Sequence, residues 1–307
     1  MKLPGWPDVA ELREECDAAE AAGRAFATQA EKDFALTRLI WSIGQEFGDG
    51  LLLKGGTCLS KVDLAFHRVS EDADFVIPWP DATVDDLDAA RWYAPANARL
   101  KTAAAAAGMD LEGSVGTFTE GNRPLRSWRV HYPSAYGSGR DSLLVEISPR
   151  PVLQTPRKVR LLCVIDGAIA SAHEAASCFA LSAGEVRAEK VRAAFTRDEI
   201  RDFFDLGLFL DGPDLTSREF VELVGQKLAE WPAPRLPDQK PNFGKSALQL
   251  RRLERSVTRR LMPQLPPGAP VFSLARVLSA YNDLWNGVQS SWEQWDERTT
   301  EIPEPQA

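Results

Sequence analysis

Two short stretches decide the fold, KGGTCLSK at residues 54–61 and RVSEDADF at residues 68–75. The first follows the apolar run 51–53 and contains two adjacent glycines, which is typical of a strand that enters a tight turn. The second leads into an apolar run that stops at Pro78, which indicates another strand. Together they predict a strand, a glycine turn with a short helix, and a second strand that begins with acidic residues.

Asp72 and Asp74 are the chemically informative residues of the second stretch. Residues two apart on a strand point to the same face, so the two carboxylates would lie side by side. Such a pair repels unless a cation lies between them, and magnesium prefers oxygen ligands of this kind. Glu146 is the one acid within the apolar run 143–147 and is predicted as a third ligand, because a charge there needs a partner or a metal. The alternative for Glu146 is an acid on the solvent face of an edge strand.

The glycine turn predicts a phosphate-binding site. Gly55 and Gly56 allow the backbone to bend sharply and to approach a ligand closely. The amides of a helix that starts at Thr57 would face an anion, and the hydroxyls of Thr57 and Ser60 add donors. Each stretch alone also fits an ordinary glycine turn or a solvated Asp-x-Asp turn, but their order and spacing make the combination more specific.

With a third segment at 189–206, these stretches resemble the signature of the AbiEii/AbiGii nucleotidyltransferase toxins. These toxins belong to abortive-infection toxin–antitoxin pairs, and mycobacterial nucleotidyltransferase toxins are similar. The matching residues are Lys54-Gly55-Gly56-Thr57, Arg68-x-Ser70-Glu71-Asp72-x-Asp74, Glu189-Lys190-x-x-Ala193 and Arg201-Asp202-x-x-Asp205-Leu206. Ala73 departs from the family, which often has Ile there, and Cys58 replaces the usual Ala or Ser.

The resemblance implies a role for each matching residue. Asp72 and Asp74 would hold magnesium, and Ser70 would contact the nucleotide phosphates. Lys190 would pair with the triphosphate, Asp205 would complete the active site, and Asp202 would support it or orient a basic neighbour. The predicted catalytic residues are Ser70, Asp72, Asp74, Lys190 and Asp205. The predicted nucleotide-binding residues are Lys54, Gly55, Gly56, Thr57, Ser60, Arg68 and Asp202. The predicted metal ligands are Asp72, Asp74 and Glu146. Without the resemblance, the charges of the third segment favour Arg–Asp pairs on the solvent side of a helix.

Hydrophobic periodicity predicts an α+β protein. Residues 8–47 read as helices, strands are expected at 72–77, 128–132, 143–147 and 159–165, and amphipathic stretches at 185–210, 215–230, 243–262 and 272–295 predict helices. The resemblance implies a polymerase-β-like nucleotidyltransferase core, a mixed sheet flanked by helices. We expect a catalytic domain with N-terminal helices at 1–180 and a helical domain at 181–307 that contributes Lys190 and Asp205 to the site.

Composition limits the class of protein. The 307 residues carry a net charge of -8, which argues against a protein that coats nucleic acid broadly. Apolar runs are too short to span a bilayer, and no signal peptide is apparent, so we expect a cytoplasmic protein without a membrane partner. The scattered cysteines and histidines do not fit a structural zinc site.

The predicted reaction is magnesium-dependent transfer of a nucleoside monophosphate from an NTP to an acceptor hydroxyl, with two magnesium ions. By resemblance, the acceptor would be the 3′ end of tRNA, which would block translation, and a cognate antitoxin would be the partner protein. Basic residues at 150, 157, 158 and 160, and arginines at 251, 252, 255, 259 and 260, are candidates for contact with RNA phosphates. The alternative for the second group is a solvated helix with Glu254 as a partner. The other candidate functions are modification of a small-molecule or protein hydroxyl and non-catalytic nucleotide binding.

Overall fold

A computed structural model describes residues 3–79, 86–120, 123–210, 215–229, 244–267, 269 and 271–300. The chain folds as two compact units, one formed by residues 1–182 with 264–269 and the other by residues 183–263 with 270–307. The assignment of a catalytic role to 1–180 and of a supporting helical role to 181–307 stays a prediction.

The first unit opens with the predicted helices, α1 (Val9–Ala21) and α2 (Ala27–Phe47). The Asp8 side chain caps α1 by accepting from the amide of Ala10 at 2.8 Å. Most of α2 is buried, including charged residues that have partners. Lys61 Nζ, for example, lies 2.6 Å from Asp33 Oδ1. That buried ion pair fixes the segment after the glycine turn against α2.

A seven-stranded mixed sheet forms the centre of this unit, in the order β3-β4-β5-β2-β1-β7-β6. Its strands are β1 (Leu52–Leu53), β2 (Asp72–Pro78), β3 (Asp110–Glu120), β4 (Arg123–Pro133), β5 (Arg140–Arg150), β6 (Arg157–Arg160) and β7 (Ser177–Ala180). The short helix α3 (Gly55–Cys58) follows β1 and continues as one π-helical turn, α4 (Asp86–Ala106) follows β2, and α5 (Ala168–Ser171) precedes β7. The predicted α+β class, with a mixed sheet flanked by helices, is confirmed.

Three features of the sheet differ from the sequence prediction. The strand expected at 159–165 ends at Arg160, because the following backbone turns to other partners: Leu162 N donates to Lys61 O and Val164 N donates to Asp33 Oδ2. Neither β3 nor β7 was predicted. The alternation of β3 is interrupted by two register shifts near its glycines, and β7 has only four residues.

The second unit is helical. It contains α6 (Ala183–Thr196), α7 (Ile200–Gly207), α8 (Arg218–Ala229), α9 (Ala247–Ser256) and α10 (Leu274–Thr300). The single helix expected at 185–210 is therefore two helices, separated by the polar residues 197–199. Tyr281 of α10 packs between them, with its ring centroid 4.9 Å from Phe195 and 5.5 Å from Phe203.

A proline-rich break is expected at 232–241 and a frayed tail after Thr299; residues 232–241 and 301–307 lie outside the described residues. Within the described part of the chain, every helix is too short or too polar to cross a membrane.

Candidate active site

The glycine turn and the Asp-x-Asp strand are adjacent in the structure. β1 pairs antiparallel with β2, with Leu53 opposite Phe75. The ladder extends by one bond from Lys54 N to Asp74 O, at 2.9 Å. The helix after the turn starts at Gly55, two residues before the predicted start at Thr57.

Gly55 leaves room for the carboxylate of Asp74. Its φ of +70° lies in the left-handed region, and a Cβ there would lie 3.2 Å from Asp74 Cγ and would collide with Asp74 Oδ2. A Cβ on Gly56 would similarly collide with the guanidinium of Arg68 and would lie 3.4 Å from Ser70 Oγ. Both glycines are thus required by the close approach of the Asp74, Arg68 and Ser70 side chains to the backbone.

The hydroxyls of the turn hold the loop that leads into β2. Thr57 Oγ1 lies 2.7 Å from Ser70 Oγ and also contacts the backbone oxygen of Asp72. Because a hydroxyl carries one proton, Ser70 donates to Thr57 when Thr57 donates to Asp72. Ser60 Oγ donates to the backbone oxygen of Arg68 at 2.8 Å. Direct contact of these hydroxyls with a nucleotide stays a prediction.

Glu146 lies beside the two aspartates. β2 pairs in parallel with β5, and Asp74 is the register partner of Glu146. Cross-strand partners project to the same face, so Asp72, Asp74 and Glu146 share one face of the sheet. β5 lies between β2 and β4. The alternative placement of Glu146 on an edge strand is therefore wrong.

The electrostatics of this face reflect the crowding of acids. Burial raises the pKa of Glu146, the charge of Asp74 raises it further, and Asp72 adds a smaller effect. Two groups oppose this rise, Ser127, which donates to Glu146 Oε1 at 3.1 Å, and the ammonium of Lys54. Repulsion of this kind is relieved by a bound cation.

The residues present fit magnesium in donor type and in charge. No three His, Cys, Asp or Glu side chains of the described residues are already assembled as a metal site. Magnesium usually takes only one or two protein carboxylates and completes its shell with water and substrate phosphates. Asp74 with Glu146, or Asp74 with Asp72, would meet that requirement.

The third signature segment forms a buried charge cluster in the second unit. Lys190 Nζ on α6 lies 3.0 Å from Asp202 Oδ1 and 2.8 Å from Asp205 Oδ2, both on α7. The aspartates are three residues apart on one side of α7, and their side chains are at most 1% exposed. The alternative of solvated Arg–Asp pairs is therefore wrong for Asp202 and Asp205.

Asp202 also binds Arg197, whose Nε lies 2.6 Å from Asp202 Oδ2. Burial alone would raise the pKa of Asp202, but the charges of Lys190 and Arg197 lower it below its usual value. Arg197 follows the end of α6, so it reaches Asp202 from the interhelical loop.

Sequence reasoning missed two side chains that support the site residues. Ser127 binds Glu146, but no sequence signal indicated which residue of β4 would lie opposite it. Lys227 of α8 is fully buried, with Nζ 2.6 Å from Glu185 Oε1 and 3.6 Å from Glu189 Oε1. Its partners lie on α6 beside Lys190, yet in the sequence Lys227 resembles an ordinary surface lysine.

The matching residues therefore form two groups, one in each unit. The first contains the glycine turn, Asp72, Asp74 and Glu146, and the second contains Lys190, Asp202 and Asp205. Their assembly into one site stays a prediction.

Comparison with known proteins decides the family. The model of the family described as "Nucleotidyl transferase AbiEii toxin, Type IV TA system" matches residues 40–284. The chain belongs to the AbiEii family. The match spans both charge groups, so this AbiEii chain is a nucleotidyltransferase toxin of a type IV toxin–antitoxin system.

The solved structure of a mycobacterial toxin agrees with the fold of this AbiEii chain. It is similar to MenT4, a nucleotidyltransferase toxin of Mycobacterium tuberculosis H37Rv, with a TM-score of 0.57 and 21% identity over 92% of this chain and 90% of that one. JHP933 from Helicobacter pylori aligns with a TM-score of 0.43 and 16% identity over 87% of this chain and 96% of that one. No curated protein sequence matches the chain. The predicted nucleotidyltransferase fold is thus confirmed.

Proposed function

We propose that the chain transfers a nucleoside monophosphate from an NTP to an acceptor hydroxyl at the face formed by β2 and β5. Asp72, Asp74 and Glu146 would hold magnesium there, in two sites once the NTP is bound. The observation that carries this proposal is the register of Asp74 with Glu146, together with the glycine backbone under Asp74. This arrangement gathers oxygen ligands where a turn leaves space beside them.

The protein side chains would position the reacting groups. Bound magnesium would stabilise charge on the phosphate oxygens and favour loss of the acceptor proton. Ser127 holds Glu146 by its hydrogen bond, and the missing Cβ of Gly55 leaves space for the carboxylate of Asp74. The acceptor oxygen would then bond to the α-phosphorus as the bond to the pyrophosphate oxygen breaks.

Lys190 is proposed to neutralise the triphosphate as negative charge grows on the leaving pyrophosphate. An ammonium has three donors, and Asp202 and Asp205 occupy two of them. These aspartates would hold the lysine in a fixed position, while the third donor would serve a phosphate oxygen. Asp202 would also orient Arg197.

The proposed acceptor is the 3′ end of tRNA, whose modification would block translation, and the proposed protein partner is a cognate antitoxin. Membership in a type IV toxin–antitoxin family supports the antitoxin, whereas the tRNA acceptor is proposed from the resemblance given in the sequence analysis. A small-molecule or protein hydroxyl is the second candidate acceptor, because the chain carries a net charge of -8 rather than a basic surplus.

Label transfer tests the proposal. The protein is incubated with magnesium, each α-³²P-labelled NTP and unfractionated tRNA, and parallel reactions contain total protein or small-molecule hydroxyl acceptors. We expect label at the size of tRNA, with loss of label when magnesium is chelated. Label only in protein or in small molecules would refute the tRNA acceptor.

Two variants locate the reaction. Asp72→Ala should reduce incorporation by at least about 100-fold, as removal of a charged catalytic group commonly does. Asp110→Ala removes an acid that is 85% exposed on β3 and should leave the rate unchanged. Incorporation by Asp72→Ala at the wild-type rate would refute the assignment of the site.

A further inference from the structure

Three arginines form a line along one side of α9 and the π-helical turn that continues it, Val257–Leu261. Arg251, Arg255 and Arg259 are spaced by four residues and are all exposed. Each step of four residues advances about 6 Å along a helix and returns to nearly the same side. We call these three residues the arginine stripe.

The helix that carries the stripe is anchored on its opposite side. Leu253 and Leu261 are fully buried. At the start of α9, Ser246 and Gln249 form a capping box, and Gln249 Nε2 also donates to Asp198 Oδ2 at 2.9 Å. The stripe is therefore displayed on a fixed element rather than on a freely moving segment.

The charge of the stripe is not balanced by the carboxylates that the structure describes. Neighbouring Arg260 differs, because its Nη1 lies 3.2 Å from Glu199 Oε1. Arg252 differs as well, because its charge contributes to lowering the pKa of Asp198. None of the stripe arginines comes within 4.0 Å of a described carboxylate. The exposed Glu254 offsets part of the positive charge of this helix, but three arginines without an ion pair among the described residues, in a chain of net charge -8, indicate a surface for an anionic ligand.

The chemistry of the stripe favours phosphate over a protein partner. Arginine presents a planar fork of donors that matches phosphate oxygens. Protein interfaces instead place apolar and aromatic side chains at their centre. The described exposed large hydrophobic residues nearest to the stripe in sequence are Leu248 and Met262, which precede Arg251 and follow Arg259. A row of phosphates along one RNA strand is the ligand that fits a row of guanidinium groups.

We propose that the arginine stripe binds the phosphodiester backbone of the acceptor RNA. This inference rests on the proposed function, since it supplies the surface by which an otherwise acidic enzyme holds an RNA acceptor. The stripe lies in the second unit and would hold the RNA, whereas the reaction would take place at the charge groups described above.

Equilibrium binding tests the stripe independently of catalysis. Fluorescein-labelled, deacylated tRNA is titrated with the full chain, and anisotropy is followed at several salt concentrations. For Arg251→Gln/Arg255→Gln/Arg259→Gln we expect the Kd to rise on the order of 10- to 100-fold. The slope of log Kd against log salt should fall by about 2, because each lost phosphate contact removes about 0.7 to 0.9. Replacement of the same three residues by Lys should retain most of the salt slope.

The matched control removes three other exposed arginines, Arg99, Arg140 and Arg218, which are 45%, 58% and 81% exposed. It changes the net charge equally and should leave the Kd within about twofold of the wild type, since scattered surface charges contribute little. Equal loss of affinity in the control and stripe variants would overturn the proposal, because it would indicate a general charge effect.

Two further outcomes are decisive. A stripe variant that binds tRNA normally but no longer binds the antitoxin would overturn the proposal in favour of an acidic protein partner. Wild-type protein that binds tRNA through the stripe but labels no RNA would refute the proposed reaction while leaving the docking surface supported.

Discussion

At the scale of single residues, the site depends on a carboxylate placed against a Cα that has no side chain. Gly55 has a φ of +70°, and its missing Cβ is the space that Asp74 Oδ2 occupies. The sequence indicated a turn at Gly55 and a metal ligand at Asp74. It could not indicate that one residue makes room for the other, because that contact depends on the pairing of β1 with β2.

Gly55→Ala should therefore reduce nucleotidyl transfer by at least about tenfold, because the new Cβ displaces the Asp74 carboxylate; tenfold corresponds to about 1.4 kcal/mol in the barrier. Gly137→Ala is the matched control, since Gly137 has a φ of +64° but a Cβ there would meet nothing within 4 Å. Both variants carry the backbone strain of about 1–2 kcal/mol, so similar stability is expected. Equal rates for the two variants would contradict the account of Gly55.

His173 gives a second prediction at this scale. Its Nε2 lies 2.8 Å from Arg38 Nη1, and its Nδ1 lies 2.7 Å from the backbone oxygen of Ile169. Because arginine only donates, Nε2 must accept and the ring must be neutral. Burial lowers the pKa of His173, and the Arg38 charge lowers it further, against a smaller opposing effect of the Ile169 hydrogen bond.

A folded-state pKa below the unfolded value of 6.5 means that the unfolded chain takes up the proton first. The preference of the folded protein for a neutral His173 therefore stabilises it fully above pH 6.5. This stabilisation is lost as the pH falls below that value. From pH 7.5 to 5.5, the wild type should lose up to about 1.4 kcal/mol more unfolding free energy than His173→Gln. Urea unfolding at both pH values measures this difference, and parallel losses in the two proteins would contradict it.

At the scale of elements, the register of paired strands and helices decides which charges meet. Glu146 could be predicted because a lone acid in an apolar run is a local feature of the sequence. Ser127 could not, because its position opposite Glu146 depends on the register of β4 with β5. The pairing of Lys190 with Asp202 and Asp205 likewise required the packing of α6 against α7, although the resemblance to the family named all three residues.

The ion pairs of Lys227 should dominate the stability of the packing of α6 against α8. Lys227→Met leaves Glu185 and Glu189 as buried carboxylates without that cation, a change that typically costs about 3–5 kcal/mol. The triple variant Lys227→Met/Glu185→Gln/Glu189→Gln should recover part of the loss, because it removes the buried charges together. Urea midpoints measure both effects, with exposed Lys101→Met as the control. An unchanged midpoint for Lys227→Met would refute this role.

At the scale of the whole molecule, the sequence predicted the class of fold better than its details. Hydrophobic periodicity located the N-terminal helices, the central strands and the helical second half, because the buried apolar residues of those elements recur at regular spacing in the sequence. It missed β3 and β7 and joined α6 to α7, because bulged strands, short strands and polar interhelical loops lack such patterns. Assembly of the two charge groups into one site stays a prediction, because it depends on long-range packing that no local sequence feature encodes.

Toxicity belongs to the whole molecule, since it requires fold, chemistry and a cellular target together. Induced expression of the wild type in a heterologous bacterium should arrest growth, as expected for an AbiEii toxin. Asp74→Asn should permit growth at equal protein levels, because it removes a proposed metal ligand without changing side-chain volume appreciably. Growth arrest by Asp74→Asn as severe as that of the wild type would separate toxicity from the proposed chemistry.

The most direct test of metal binding at the face of β2 and β5 is to count bound Mn²⁺, which substitutes for Mg²⁺. Electron paramagnetic resonance measures the bound ions in the presence of an α,β-methylene NTP analogue. We predict two ions per wild-type chain and at least a tenfold weaker affinity in Asp74→Asn/Glu146→Gln, with an unfolding midpoint no lower than that of the wild type. Equal stoichiometry and affinity in the two proteins would show that these carboxylates do not bind the metal.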